Sequence, residues 1–257
     1  MTVALLSSAD VHVYYGFTDD ISPDGHAGAL RALSAEEQER EARFVFLRDR
    51  LIFVSAHTLL RQALSLYEDV APDRWAFERN AYGKPRLSDA HTGIQLQFNL
   101  AHTQGLVACV VCRHDEVGID VESVTSRVPS LDLAERFFSP NEVADLRVCP
   151  EAERDARFIE FWTLKESYIK ALGVGLSHPL ETFGFAHSGS PSLKFQPPAG
   201  IDPKTWQFGL YAPSPDYRLA VGVRRHRPEP CHITVWQAKS GKLRHIRSPC
   251  ILGRFNL

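Results

Sequence analysis

Two stretches of equal length constrain the fold of this chain most: Phe53 to Leu64, FVSAHTLLRQAL, and Phe161 to Leu172, FWTLKESYIKAL. Both carry apolar residues at helical spacing, and laid on each other they match at Phe, Ala and Leu. Strand-like segments follow each of them. The pattern is that of an α+β chain made of two similar halves, 1–115 and 116–257, with the seam between them as the place to look for a site. The tail after Val223 is basic and patchy, and nothing in it suggests a role.

Local signals fill in this outline. VALLSSADVHVYYGF, residues 3–17, reads as an opening strand, and residues 34–66 read as two helices, the first capped by Ser34 with Glu37 in the capping-box position. WAFERNAYGKPRL turns at Gly83 to Pro85, and it leads into the strand or loop segments IQLQFNLAHT and GLVACVVCRHDEVGIDVES. In the second half LDLAERFF is helical, and SPNEVADLRVC starts a helix with Ser139 as cap and Pro140 at its first position. DARFIEFWTLKESYIKALG, residues 155–173, is the longest helix, and TFGFAH, SLKFQ, WQFGLYA and YRLAVGV complete the half as strands.

Composition limits the classes of function. A chain of 257 residues, 44% of them hydrophobic, can bury a full core. Its net charge of −2, without a long run of one sign, gives no reason to expect nucleic acid as a partner. The N-terminus lacks a basic start and reaches Asp10 before any long apolar run, and no later run approaches a bilayer span, so a cytoplasmic protein without a membrane partner is expected. Five scattered cysteines, Cys109, Cys112, Cys149, Cys231 and Cys250, argue for reduced thiols rather than a disulfide framework. Cys109 and Cys112 have CxxC spacing but lie in a β-branched run, and they read as strand residues.

Chemistry enters with VGIDVES. Side chains at i and i+2 of a strand share a face, so Asp120 and Glu122 project together while Ile119 and Val121 face the core. Two such carboxylates suit either a solvated strand end or a cation. Glu166 and Lys170 are i,i+4 neighbours off the apolar stripe of Phe161, Leu164, Tyr168 and Leu172, a spacing that also serves an ordinary surface ion pair. Together, Asp120, Glu122 and Glu166 would make an all-carboxylate site for a hard cation such as Mg²⁺.

The combination of VGIDVE and FWTLKESYIK resembles the paired signature of the 4'-phosphopantetheinyl transferases. AYGKP, FNLAHT and RFFSPNE extend the likeness to the large, monomeric, surfactin-synthetase-activating type, over about Arg43 to Val223. The resemblance implies two similar α+β halves related by pseudo-twofold symmetry, with coenzyme A as co-substrate in an active site at their seam. It implies Asp120, Glu122 and Glu166 on Mg²⁺, Lys170 on the pyrophosphate and Glu142 as general base. It further implies Lys84 and Pro85 in the nucleotide-binding turn, and His102, followed by Thr103, on the 3'-phosphate. The acceptor it implies is a serine hydroxyl of an apo acyl or peptidyl carrier protein, with adenosine 3',5'-bisphosphate as leaving group.

Two departures from the family pattern stand out. EEQERE occupies the place of the usual lysines, leaving Arg43, Arg48 and Arg50 as substitutes on the 3'-phosphate, and Ala101 replaces a frequent serine before His102. The segment from Glu122 to Glu142 is the expected carrier-facing stretch, with Leu131, Leu133 and Phe137 as either core or docking residues. The competing readings are a non-catalytic module that binds coenzyme A or a carrier, and another Mg²⁺-dependent phosphate enzyme.

Overall fold

The computed structural model describes residues 4–20, 23–125, 131–187, 192–239, 242–245 and 250–255. The chain opens with β1 (Asp10–Phe17), α1 (Pro23–Leu30), α2 (Ala35–Ala42), α3 (Leu47–Leu64), β2 (Phe77–Arg79), β3 (Pro85–Leu87), β4 (Gln97–Thr103) and β5 (Leu106–Cys112). It continues with β6 (Glu116–Ser123), α4 (Leu131–Phe137), α5 (Pro140–Val148), α6 (Glu151–Leu172), β7 (Gly184–His187), β8 (Ser192–Gln196), β9 (Trp206–Ala212) and β10 (Tyr217–Arg224). The tail adds β11 (His232–Lys239), β12 (Lys242–His245) and β13 (Cys250–Phe255). These elements form two compact α+β units, Met1–His114 with Cys231–Arg247 and Asp115–Pro230 with Ser248–Leu257. The tail, which looks idle in the sequence, therefore supplies strands to both units. Among the described residues no helix is long and apolar enough to cross a membrane.

In the first unit the strand order is β12-β11-β1-β5-β4. β11 pairs parallel to one side of β1 and β5 pairs antiparallel to the other. β1 is shorter than its apolar pattern suggests, because Ser7 N–H donates to Asp10 Oδ2 at 2.8 Å and turns the chain just before the strand. Helix α3 buries Leu59, Leu60 and Leu64 against Tyr14, Phe98 and Val111 of the sheet. β5 is buried along its whole length, which makes Cys109 and Cys112 strand core residues outside any disulfide. Helix α1 lacks a clear sequence signal and exists through packing, with Ala29 and Leu30 against Phe53 and Val54 of α3.

In the second unit the order is β6-β10-β9-β13-β8-β7, with β13 antiparallel to β9 and parallel to β8. α6 lies along β6 and β10 and buries Phe161, Leu164 and Tyr168 in an aromatic core with Phe183, Phe208 and Trp206. It begins at Glu151, ahead of its apolar stripe. That first turn carries Glu151 and Glu153, acids that suit a helix N-terminus, and apolar periodicity cannot reveal it.

The two units repeat one local device. Ser34 caps α2 in a capping box with Glu37, and Ser139 caps α5 in a capping box with Glu142. In the first unit His57 Nδ1 lies 2.8 Å from Glu37, and Arg61 lies 2.6 Å from it. In the second, Lys165 Nζ lies 2.8 Å from Glu142. His57 and Lys165 occupy the same position when Phe53–Leu64 is laid on Phe161–Leu172. The weak sequence repeat thus coincides with a shared way of fastening a short capped helix to the long one.

Candidate active site

Two glycines bring α6 onto the strands that carry the acids. A Cβ on Gly118 would stand 2.1 Å from the Ser167 carbonyl oxygen and 2.3 Å from Ala171 N. Gly222, its partner across the strands, would place a Cβ 3.2 Å from the same carbonyl. The helix backbone therefore rests directly on the sheet. Two residues beyond Gly118, on the same face, comes Asp120, while Val117, Ile119 and Val121 are buried on the other, as the alternation predicts.

Lys170 Nζ donates to Asp120 Oδ1 at 2.5 Å. Asp120 Oδ2 is buried without a hydrogen-bond partner. Burial raises the Asp120 pKa, and the Lys170 charge opposes that rise. Glu166 is pushed up to about 7, first by burial and then by the charge of Asp120, with Lys170 pulling the other way. Burial alone would lower Lys170, but Asp120, Glu166 and Glu122 outweigh it and the net shift is upward. Three acids thus share the field of one ammonium, a surplus of negative charge that a hard cation would relieve.

The donor chemistry fits Mg²⁺: carboxylate oxygens, one of them buried and unsatisfied at Asp120. As the side chains stand, no three His, Cys, Asp or Glu groups among the described residues converge on one metal position. Asp120 and Glu166 are coupled directly, and Glu122 is the next carboxylate along the strand face.

Glu142 is placed differently from the base that the resemblance implies. It is fully buried. Its Oε2 accepts from Ser139 N and Ser139 Oγ and faces Lys165, and its Oε1 accepts from Phe185 N at 2.9 Å. Lys165, also fully buried, donates to the carbonyls of Leu180 and Phe183 and lies 4.4 Å from the Phe183 ring centre. Burial pushes the Glu142 carboxyl up and the Lys165 ammonium down, and their mutual attraction opposes both shifts. A carboxylate with four donors inside the core offers no face to an incoming hydroxyl, so its geometry is that of a lock between α5, α6 and β7. The S-x-x-E spacing of Ser139 and Glu142 is itself a capping-box signature that points to this role.

The residues expected to bind the nucleotide and 3'-phosphate belong to the first unit. Lys84 and Pro85 close the β2–β3 hairpin, where Asn80 Oδ1 accepts from Tyr82 N and Lys84 N, each at 2.9 Å. His102 is exposed on β4, Thr103 is half-buried, and Ala101 turns into the core. Arg43 and Arg48 are exposed beside the N-terminus of α3, Arg48 over the Phe46 ring. Arg50 is committed elsewhere, donating to the buried Glu41 at 2.7 and 3.1 Å. Leu131, Leu133 and Phe137 are half-buried and packed on the second core, and residues 126–130 of the expected carrier-facing segment lie outside the described residues.

Comparison with known proteins places the chain in a family. Residues 116–222 match the 4'-phosphopantetheinyl transferase superfamily, and residues 21–114 match the family described as 4'-phosphopantetheinyl transferase, N-terminal. The 4'-phosphopantetheinyl transferase HetI of Nostoc sp. is 35% identical over 192 residues, which span 74% of this chain and 80% of that protein. The chain belongs to the 4'-phosphopantetheinyl transferases. Similar to this transferase are also Sfp of Bacillus subtilis, 30% identical over 80% of the chain and 90% of that protein, and a second Bacillus subtilis 4'-phosphopantetheinyl transferase, 31% identical over 75% and 82%. Its acid cluster lies wholly within the superfamily match, and its hairpin, histidine and arginines lie within the N-terminal one.

Proposed function

We propose that this transferase moves the 4'-phosphopantetheine arm of coenzyme A onto a serine hydroxyl of an apo acyl or peptidyl carrier protein. The serine oxygen bonds to the phosphorus bearing the pantetheine arm, the bridging P–O bond of the pyrophosphate breaks, and adenosine 3',5'-bisphosphate departs with the bridging oxygen. The observation that carries this reading is the Asp120–Glu166–Lys170 cluster on a helix set against its strand by Gly118 and Gly222. Lys170, whose pKa is raised, stays charged at neutral pH and can bind a phosphate oxygen. Asp120 and Glu166, with Glu122 beside them, would hold Mg²⁺, which when bound neutralises pyrophosphate charge. Glu166 is also the group we assign to receive the serine proton.

In this reading Lys84, Pro85, His102 and Thr103 bind the nucleotide, and Arg43 and Arg48 take the 3'-phosphate while Arg50 remains with Glu41. We read the protein as a cytoplasmic monomer that meets its carrier transiently and has neither nucleic acid nor membrane as partner. Incubation with labelled coenzyme A, Mg²⁺ and a panel of apo carriers tests the proposal. Label on the carrier serine together with adenosine 3',5'-bisphosphate supports it. Hydrolysis of coenzyme A without carrier labelling, or binding without turnover, overturns it.

A further inference from the structure

We propose that Asn80 is a positioning residue that orders the turn from Asn80 to Lys84 ahead of the nucleotide and so presents Lys84 to it; the inference rests on the nucleotide-binding role given to Lys84 and Pro85 above. β2 and β3 are three residues each and form a two-stranded sheet of their own. A ribbon this short is marginal by itself. Its base is held by the rest of the unit: Phe77 packs on the first core with its ring centre 5.3 Å from that of Phe98, and Glu78 binds Arg86 at 2.9 Å and accepts from Asp89 N at 3.0 Å. At the tip Ala81, Tyr82 and Gly83 are exposed, so core packing does not set their conformation. Bonds within the turn must do so.

Asn80 supplies most of those bonds. Its side chain turns back on its own backbone, with Oδ1 accepting from Tyr82 N and Lys84 N at 2.9 Å each. Its main chain closes the same turn: Asn80 N donates to Lys84 O and Gly83 N donates to Asn80 O, both at 3.0 Å. Arg79 adds a bond from Nη1 to Gly83 O at 2.9 Å. Gly83 itself takes a φ of +86°, a region that glycine enters without strain and leaves as easily. The two donors that converge on the Asn80 side chain flank this most permissive position. Without that oxygen Tyr82 N and Lys84 N turn to solvent and Gly83 is released. The turn is then ordered only when the nucleotide binds, and the lost backbone freedom weakens affinity.

Asn80→Ala, Lys84→Ala and the double variant of the full chain separate this role from a merely structural one. Titration calorimetry with Mg²⁺ reads the binding of coenzyme A and of adenosine 3',5'-bisphosphate, and thermal melts run alongside. Asn80→Ala is expected to weaken both ligands about tenfold, since two backbone donors lose their acceptor, and to melt close to wild type because the tip is exposed. With Lys84 already replaced, Asn80→Ala should weaken binding clearly less than it does in wild type, because both residues act through one contact. In turnover, Asn80→Ala should raise KM for coenzyme A and leave kcat at saturating coenzyme A near wild type. Unchanged affinity in Asn80→Ala beside weakened affinity in Lys84→Ala, fully additive losses in the double variant, or a fall in kcat at unchanged KM overturns the inference. A Lys84→Ala protein that binds both ligands like wild type overturns the nucleotide reading and this inference with it. Should Asn80→Ala not fold, Gly83→Ala decides alone. Its Cβ would meet nothing within 4 Å, so it strains only the backbone of the turn, weakened binding then counting for the proposal and unchanged binding against it.

Discussion

Replacing Lys165 with methionine leaves the Glu142 carboxylate buried among Ser139 N, Ser139 Oγ and Phe185 N with no cation to balance it. Removing one partner of a buried ion pair costs about 3–5 kcal/mol, because the other charge stays desolvated and alone. For a chain of this size each kcal/mol moves Tm by roughly 2–4 °C, so Lys165→Met should melt about 6–20 °C below wild type. Glu142→Gln should cost a similar amount, since it presents an amide N–H to the ammonium while Leu180 O and Phe183 O continue to hold Lys165 in place. The double variant removes both charges and should cost clearly less than the sum of the two. Calorimetric melts of the four proteins measure these costs, and transfer assays well below the lowest Tm measure activity. With Glu142 acting as a lock, the double variant keeps turnover within about tenfold of wild type, roughly 1.4 kcal/mol in barrier. A Glu142→Gln protein that melts with wild type yet has lost turnover, unrescued in the double variant, would refute the lock and restore Glu142 as a base.

Three further outcomes are expected. Asp120→Asn and Glu166→Gln should each lower transfer by well over about tenfold while leaving far-ultraviolet circular dichroism unchanged, and activity close to wild type in either would remove that residue from the site. Gly118→Ala should force α6 off β6, costing about 1–3 kcal/mol or more in Tm measurements and impairing transfer even where the protein is folded, because a Cβ there meets backbone that cannot rotate away. Burial alone would raise the Glu37 pKa, but the His57 hydrogen bond and charge, Ser34 N–H and Arg61 together hold it down to about 2 against an ordinary 4.5. Its folded pKa is the lower one, so its contribution is complete above about pH 4.5 and disappears as pH falls toward about 2, a difference of about 3 kcal/mol. Glu37→Gln should flatten the stability profile across that window in denaturant titrations, and an unaltered slope would show that Glu37 is not so perturbed.

Strand alternation at Asp120 and Glu122, the caps at Ser34 and Ser139, and the stripe of α6 are legible in the sequence because each depends on neighbours within one or two turns or pleats. The same local signals place all four late strands, β7 to β10, within a residue or two of their observed bounds. What escapes local reading is decided by residues far apart along the chain. β11 lies parallel to β1, and β13 inserts between β9 and β8, pairings that no period in the tail encodes. A glycine in VGIDVE looks like a weak point in a strand until Gly222 arrives opposite it and a helix backbone comes to rest on both. Glu142 and Glu166 are both acids near the signature, and their types cannot say which of them is locked. Only packing separates them: one carboxylate is enclosed with four donors in the core, while the other is half-buried beside a like charge, and desolvation and field are properties of the folded surroundings rather than of the residue.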